Sequence, residues 1–321
     1  MTVSPTRIDQ SPQMAAVSYC ADIGGSFIKF GRSYGAGIVE VEEQVPTPTS
    51  SWTGFMDAIA GLIARHEEDS SLPIAISTAG LFNSRTGEVT AANIPAFEDH
   101  DFAGELGAFL GRRVLVANDA DSFALAEANV GVGRGHDVVM SIILGTGVGG
   151  GLVVGGRLVQ GAGGVTAEWG HGAIIRTVSV LPETGEEISI PRFACGCGQS
   201  GCTDTIGGAR GIERLHLHLS GERSTSHKIL DGWEQGDAIA ARTVAVYFDL
   251  LSEPLAFAIN ISGATIVPVG GGLAARHKLV AGLDAAVRQR TLNTYGEPLI
   301  VPGQYLKDGG LVGVSVLASQ L

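Results

Sequence analysis

The 321-residue sequence lacks several features that define whole classes of protein. It has four cysteines, and no apolar run approaches the roughly 20 residues that a membrane-spanning helix needs. Lysine and arginine together number 21 against 33 acidic residues, which gives a formal net charge of −12. This negative charge argues against sequence-independent binding to nucleic acid or to an anionic membrane surface.

The start of the chain also lacks the pattern of a secretory signal. Residues 1–16 are polar, contain two prolines, and show no basic segment followed by an apolar one. We expect residues 1–16 to form a loose tail. Since this segment has no export signal and the cysteines are available to bind zinc, we expect the protein to work in the reducing cytoplasm.

The remaining composition is that of a globular protein with an ample core. Hydrophobic residues make up 45% and charged residues 17%, and the length predicts about two domains. Strand and helix patterns alternate, which predicts the α/β class. The segments Tyr19–Gly31 and Val138–Val154 share one pattern, an apolar strand, a glycine turn and a second apolar strand. This weak repeat predicts a duplicated fold with two facing phosphate loops.

Two glycine-rich turns are the candidate phosphate loops. In the first, glycines let backbone N–H groups approach a phosphate, and Asp22 can bind a magnesium ion or its water. Ordinary hairpin turns also use Gly-Gly, so the pattern alone leaves both readings open. The second turn, Gly145–Gly151, is either a phosphate loop or a mobile linker, and the strong strands on both sides favour the loop.

Asn118 and Asp119 follow an apolar strand, Val114–Ala117, and precede a predicted helix, Ala120–Val130. The end of a strand in an α/β sheet is where ligand-binding residues lie. A carboxylate there can accept a hydroxyl proton. Asp119 can also serve as the N-cap of the helix, and both roles stay open.

Three cysteines lie within eight residues, in Cys195-Gly-Cys197-Gly-Gln-Ser-Gly-Cys202. We call the segment Cys195–Cys202 the cysteine knuckle. With His171 as a fourth ligand it predicts a closed tetrahedral zinc site that is structural. Three unrelated buried thiols, or a disulfide with one thiol left over, are the alternatives. A zinc ion here would fix the segment that carries Glu168, His171 and Asp204.

These motifs together resemble the repressor, open-reading-frame, kinase (ROK) family of sugar kinases, from Tyr19 to about Leu317. The matching segments are Asp22–Ser26, Asn118-Asp119, Leu144–Gly151, Glu168–His171, the cysteine knuckle and Gly270–Gly272. Within the family the chain is most similar to bacterial N-acetylglucosamine kinases. The pointers are Ala91–Pro95, Cys195–Gln199, Trp233–Asp237 and the 23 residues between His171 and Cys195.

The resemblance implies a two-lobed actin-like fold, of the ribonuclease H-like kind, with a cleft between lobes. One lobe would comprise residues 1–118 and 305–321 and the other residues 119–304. It implies ATP- and Mg²⁺-dependent transfer to the 6-hydroxyl of N-acetylglucosamine, a structural Zn²⁺ and a homodimer. Asp119 would be the general base. The sugar site would comprise Gly80, Asn93, Asn118, Asp119, Glu168, His171 and Asp204. The nucleotide site would comprise Asp22, Gly24, Gly25, Ser26, Gly145, Thr146, Gly147, Gly270, Gly271 and Gly272. The zinc ligands would be His171, Cys195, Cys197 and Cys202.

The chain departs from the family pattern at three positions: Ser26 replaces threonine, Ala79 replaces proline and Asp204 replaces glutamate. The shorter Asp204 bears on sugar preference, so N-acetylmannosamine and glucose remain alternative substrates. A sugar-responsive repressor is disfavoured because only about 17 residues precede the first strand, too few for a helix-turn-helix unit. A catalytically silent sugar sensor is disfavoured because Asp119 and both glycine loops are present.

Overall fold

The computed structural model describes residues 15–91, 93–173, 176–181 and 184–321. The predicted tail lies almost entirely outside these ranges, as does Ala92 of the Ala91–Pro95 segment. In chain order the strands are Ser18–Ile23 (β1), Phe27–Gly35 (β2), Ile38–Pro46 (β3), Ile74–Thr78 (β4), Leu81–Phe82 (β5), Val89–Thr90 (β6), Val114–Asn118 (β7), Val138–Leu144 (β8), Val148–Val154 (β9), Arg157–Leu158 (β10), Val178–Val180 (β11), Glu187–Ser189 (β12), Val267–Gly270 (β13) and Ile300–Pro302 (β14).

The α-helices lie mostly between the strands and after the cysteine knuckle. They are Trp52–His66 (α1), Phe102–Leu110 (α2), Asp119–Asn129 (α3), Asp204–Gly207 (α4), Ala209–Ser220 (α5), Ser226–Glu234 (α6), Ala238–Ser262 (α7), His277–Arg288 (α8) and Gly309–Ser319 (α9).

Two five-stranded sheets have the same topology. The first has the order β3-β2-β1-β4-β7 and the second β10-β9-β8-β13-β14. In each sheet the central strand pairs antiparallel with the next strand along the chain and parallel with a later one. The predicted α/β class with a duplicated fold is therefore confirmed, and the glycine turns join corresponding strands in the two sheets.

Each sheet has its own apolar core. In the first, α1 begins at Ser51, whose Oγ accepts a hydrogen bond from the Gly54 N–H at 3.0 Å. The helix then buries residues at helical spacing, among them Phe55 and Ile59, against the sheet. In the second, α7 and α8 pack against the buried strands β8 and β13. The closing helix α9 packs on β1, β4 and α3.

Helix α7 is the one described helix that is long and apolar enough to cross a membrane. However, 61% of its apolar window is buried inside the protein, as expected for a core helix. A proline inside a helix often kinks or breaks it, yet α7 continues through Pro254 without a break.

Several local predictions were incomplete. Two elements were not expected from the sequence, the edge strand β3 and the helix α6, which ends at Glu234 shortly before α7. Residues 149–151 are strand residues of β9 and not loop, because they pair with residues 141–143 of β8. Glycine is needed at 150 and 151, where an added Cβ would meet neighbours at 3.0 Å or less. The acidic segment between His171 and Cys195 contains the hairpin β11–β12, with residues 182 and 183 outside the described ranges.

Candidate active site

A cavity of about 450 Å³ lies between the ends of strands from both sheets. Its lining brings together residues that are far apart in the chain, at the carboxyl ends of β1, β7, β8 and β13. Of the predicted site residues it contains Asp22, Asp119, Gly145, Thr146, Gly147, Asp204 and Gly271.

Asp119 is the first residue of α3, and its side chain faces the cavity. The N-cap of the helix is Asn118, whose Oδ1 accepts a hydrogen bond from the Asp121 N–H at 2.6 Å. Asp119 Oδ1 accepts a hydrogen bond only from the adjacent Ala120 N–H, at 2.9 Å, among the described residues. The expectation that Asp119 also caps the helix is therefore wrong, and its carboxylate is available for chemistry.

The surroundings of Asp119 raise the affinity of its carboxylate for a proton. The Asp119 side chain is open to the cavity, and many protein atoms lie around its carboxylate. Desolvation raises the pKa of Asp119, and the nearby negative charge of Asp22 raises it further. A carboxylate whose pKa lies above the ordinary aspartate range is a better general base.

Asp22 ends β1 and faces the same cavity. Burial raises its pKa, while the nearby Ser77 hydroxyl and the charge of Lys29 lower it. The start of α9 lies against this carboxylate, since an added Cβ at Gly310 would overlap it. Two carboxylates that face one polar cavity are a donor set that fits a magnesium ion.

The first glycine loop does not line the cavity directly. The Gly24 N–H bonds the Phe27 carbonyl at 3.0 Å, and Thr47 beside β3 bonds the carbonyls of Gly24 and Ser26. Gly25 lies against Asn93, because an added Cβ would be 3.3 Å from the Asn93 Cβ. The structure thus places predicted sugar and phosphate residues side by side.

Gly80 has a φ of +96°, and an added Cβ would overlap the Thr90 carbonyl oxygen. This close approach of two backbone segments explains why the position requires glycine. It holds the segment that leads to Asn93 against the end of β4, on the first sheet.

A second cavity, of about 320 Å³, adjoins the other face of the second glycine loop. Gly145 and Thr146 line both cavities, and Gly272 lines this second one. Its other walls come from α5, α6 and the segment before α8, and they were missed from the sequence: Ala209, Ser226, His227, Leu230, Leu273 and Arg276. Gly270 is instead a packing residue, since an added Cβ would meet Ile143 and Phe123 at 2.7 and 2.9 Å.

The segment from Glu168 to His171 packs on β9. The Trp169 indole donates a hydrogen bond to the Gly149 carbonyl at 2.9 Å. His171 presents Nδ1 to the Cys195 Sγ at 3.7 Å and Nε2 to the Glu168 carboxylate at 4.0 Å. His171 therefore lies between the cysteine knuckle and Glu168, whose pKa is raised by burial and by Asp119.

The four predicted zinc ligands converge. The Sγ atoms of Cys195, Cys197 and Cys202 and a ring nitrogen of His171 all lie within 4.8 Å of one another. Ligands at about 2.0–2.3 Å from a zinc ion in a tetrahedral site are separated by distances of this order. The Gln199 backbone hydrogen bond lowers the pKa of Cys197 to about 7, whereas burial raises the pKa of Cys195 to about 11. Without a metal, Cys197 is therefore the thiol that loses its proton more easily, and a bound metal would favour the thiolate at both. The donor set and its geometry fit zinc.

Two residues near the site were missed from the sequence. Lys307, in the segment between β14 and α9, is the one lysine or arginine among the lining residues of the 450 Å³ cavity. Asp121 is buried beside Asp119 and Glu168, and desolvation with these two charges raises its pKa to about 7. The pair of aspartates at positions 119 and 121 was the sequence signal that could have pointed to Asp121.

The family model for the ROK family matches residues 18–321. The chain belongs to the ROK family. It is 33% identical to an N-acetyl-D-glucosamine kinase from Salmonella paratyphi C over 301 residues, which cover 93% of this chain and 98% of that protein. Among solved structures it is similar to a ROK hexokinase from Thermus thermophilus, with a TM-score of 0.77 and 27% identity over 93% of this chain and 96% of that one.

A ROK family glucokinase from Streptomyces griseus, solved with glucose and AMPPNP, has a TM-score of 0.69 to this chain. The identity is 27%, and the match covers 95% of this chain and 99% of the glucokinase. These relatives establish the two-lobed sugar-kinase fold and support an ATP-dependent sugar kinase.

Proposed function

We propose that the protein transfers the γ-phosphoryl group of ATP to the 6-hydroxyl of N-acetyl-D-glucosamine. The observation that carries this proposal is Asp119, a carboxylate that is not the cap of α3 and faces the cavity beside the second glycine loop. The products are N-acetylglucosamine 6-phosphate and ADP.

In this reaction Asp119 accepts the proton of the 6-hydroxyl as its oxygen bonds to the γ-phosphorus. The bond from that phosphorus to the oxygen bridging the β- and γ-phosphates breaks, and ADP leaves with the electron pair. Phosphoryl transfer needs mainly positioning and charge stabilisation besides this one base. The raised pKa of Asp119 suits it to accept the proton.

The two glycine loops would hold the nucleotide phosphates through backbone N–H groups. We assign the first loop Gly24, Gly25 and Ser26, and the second Gly145, Thr146 and Gly147. Gly271 and Gly272 would pass near the adenosine, which the 320 Å³ cavity can accommodate. Asp22 would hold a magnesium ion or its water, and that ion would neutralise phosphate charge.

The sugar would lie between the lobes, against Gly80, Asn93, Asn118, Glu168 and His171. Asn93 beside the first loop and Glu168 beside His171 support this placement. We propose that one lobe comprises residues 1–118 and 305–321 and that the other comprises residues 119–304. The two sheets fall on either side of that division.

We propose one structural zinc ion per chain, bound by the cysteine knuckle and His171. Such a site requires reduced cysteines, which supports a cytoplasmic location. We also propose a homodimer. Phe257 and Ile261, one turn apart on α7, and the neighbouring Leu292 are 62%, 71% and 94% exposed, and covering them would remove apolar surface from water.

The decisive experiment is a comparison of kcat/KM for N-acetylglucosamine, N-acetylmannosamine and glucose, with ADP release measured by a coupled assay. We expect N-acetylglucosamine to have the highest value and the Asp119→Asn protein to lose activity on all three. A preference for glucose or N-acetylmannosamine would overturn the substrate assignment. Sugar binding without phosphorylation of any hexose would favour a sugar sensor.

A further inference from the structure

Asp204 connects the cysteine knuckle to the second glycine loop. It is the first residue of α4 and follows Cys202 by two positions. Its Oδ1 accepts a hydrogen bond from the Val148 N–H at 2.8 Å, immediately after the loop, and its Oδ2 lies 3.8 Å from the Cys195 Sγ. Its own N–H bonds the Gly170 carbonyl at 2.8 Å, so the backbone at this position is also fixed.

The residues after Asp204 continue along the back of the same loop. The Ala209 N–H bonds the Gly145 carbonyl at 2.8 Å, and the Arg210 N–H bonds the Thr146 carbonyl at 3.4 Å. An added Cβ at Gly208 would lie 2.6 Å from the Thr146 carbonyl oxygen, so the two backbones are in direct contact. The loop is therefore held in place by the segment that leaves the knuckle.

The hydrogen bonds just described determine which backbone groups of the second glycine loop are left to face the cavity. The carbonyls of Gly145 and Thr146 and the N–H of Val148 are engaged. Within the described part of the chain, the N–H groups of Thr146 and Gly147 have no protein acceptor. Free N–H groups beside one another are the arrangement that binds phosphate oxygens.

We propose that Asp204 is a positioning residue for the nucleotide phosphates, linking the zinc knuckle to the second phosphate loop. This inference rests on the proposed kinase function and assigns Asp204 to the nucleotide side of the cleft, whereas the sequence placed it against the sugar. A carboxylate that accepts a backbone N–H forms a charge-assisted hydrogen bond, which restricts the loop more strongly than a neutral acceptor does.

The Asp204 carboxylate has little room to move away from the second glycine loop. An added Cβ at Gly147 would overlap Asp204 Oδ1, so the side chain lies in contact with the loop backbone itself. The contact spans 56 residues of sequence between Val148 and Asp204. Metal binding by the cysteine knuckle should therefore affect the affinity for the nucleotide as well as the affinity for the sugar.

The test compares Asp204→Ala and Asp204→Asn with the wild-type protein. The first measurement is the affinity for a non-hydrolysable ATP analogue by calorimetry without sugar, and the second is KM for ATP and for sugar. We expect Asp204→Ala to weaken analogue binding by on the order of tenfold to a hundredfold, with sugar affinity within about twofold. Asp204→Asn should retain most of the nucleotide affinity, because its amide oxygen can still accept the Val148 N–H.

The matched control is Asp237→Ala. Asp237 is also an aspartate that accepts one backbone N–H, from Ala240 at 2.7 Å as the cap of α7, and it does not line the 450 Å³ cavity. Its loss should leave nucleotide affinity unchanged. Zinc content and melting temperature, measured for every variant, identify a misfolded protein, and Asp204→Asn then carries the test.

Removal of zinc by a chelator, followed by exchange into chelator-free buffer with Mg²⁺, should also lower affinity for the ATP analogue, a readout that needs no turnover. The proposal is overturned if Asp204→Ala weakens sugar binding and not nucleotide binding, or if Asp204→Asn is as impaired as Asp204→Ala. A wild-type protein that phosphorylates no hexose would instead refute the proposed function.

Discussion

Replacing Asp119 with asparagine should separate catalysis from helix stability, because the two roles belong to different residues. The cap of α3 is the Asn118 side chain, which bonds the Asp121 N–H at 2.6 Å. The Asp119 carboxylate bonds only the Ala120 N–H among the described residues, and asparagine keeps an oxygen that can do so. The substitution removes the proton acceptor and little else.

The expected loss is large for the rate and small for stability. Loss of a general base typically lowers the rate by about 10²–10⁴, which is roughly 3–5 kcal/mol at 1.36 kcal/mol per factor of ten. An aspartate at a helix N-terminus stabilises by about 0.3–1 kcal/mol. Here desolvation and Asp22 raise the pKa of Asp119 and so oppose its charge. We expect the free energy of unfolding to change by less than about 1 kcal/mol.

The assay measures kcat at saturating sugar and ATP, sugar affinity by calorimetry, and urea unfolding. Asp121→Asn is the matched control, since it makes the same change two residues further along the same helix, outside the cavity lining. Its effect on kcat should be at least tenfold smaller. Near-normal turnover of Asp119→Asn, with intact sugar binding, would refute the assignment of Asp119 as the base.

Three further predictions follow from the geometry. Protein purified without added metal should contain about one zinc per chain, measured by elemental analysis, because four ligand atoms lie within 4.8 Å. Gly147→Ala should raise KM for ATP more than KM for sugar, because the added Cβ would overlap the Asp204 carboxylate. Asp121→Asn should stabilise the protein increasingly as pH rises from about 4 to about 7, by up to roughly 4 kcal/mol, measured by urea unfolding at several pH values.

The sign of the last effect follows from the raised pKa of Asp121, about 7 against an ordinary value of 3.8. Between these values the unfolded chain has lost the proton and the folded chain keeps it, so wild-type stability falls as pH rises. An asparagine at position 121 does not titrate, so the variant does not lose this part of its stability as the pH rises. A pH-independent difference would contradict the burial argument. A zinc-free protein with paired cysteines, or a Gly147→Ala protein with unchanged KM for ATP, would contradict the other two.

Local features of the fold were predictable from the sequence because short segments determine them. Apolar strands on either side of glycine turns predicted both hairpins, and the spacing of Cys195, Cys197 and Cys202 predicted that their ligand atoms converge. The edge strand β3 was missed because its alternation of valine and glutamate breaks off at Glu42 and Glu43. Strands are recognised by that periodicity, so an exposed edge strand gives a weak pattern.

Contacts between distant segments were not predictable. The bond from Val148 to Asp204, and the hairpin β11–β12 held by Asp249 through Ser179 and Val180, each join residues more than 50 positions apart. The capping role of Asn118 was local, yet asparagine and aspartate are comparable caps, so composition could not decide between neighbours. Apart from residues of the glycine-rich motifs, the walls of the 320 Å³ cavity come from residues of α5, α6 and the segment before α8 that belong to none of the motifs.

The charges around the larger cavity determine in what form a nucleotide can bind there. Its lining contains three carboxylates, Asp22, Asp119 and Asp204, and one cation, Lys307. Triphosphate is strongly negative, so this set of side chains alone would repel it. The attraction must come from uncharged or metal-borne sources, namely the free N–H groups of the second loop, the N-terminal end of α9 beside Asp22 and a divalent cation. Because Asp22 is desolvated, a cation bound there also lowers the cost of its charge. We therefore expect the nucleotide to bind as its magnesium complex, because the acidity of the cleft would repel the free triphosphate.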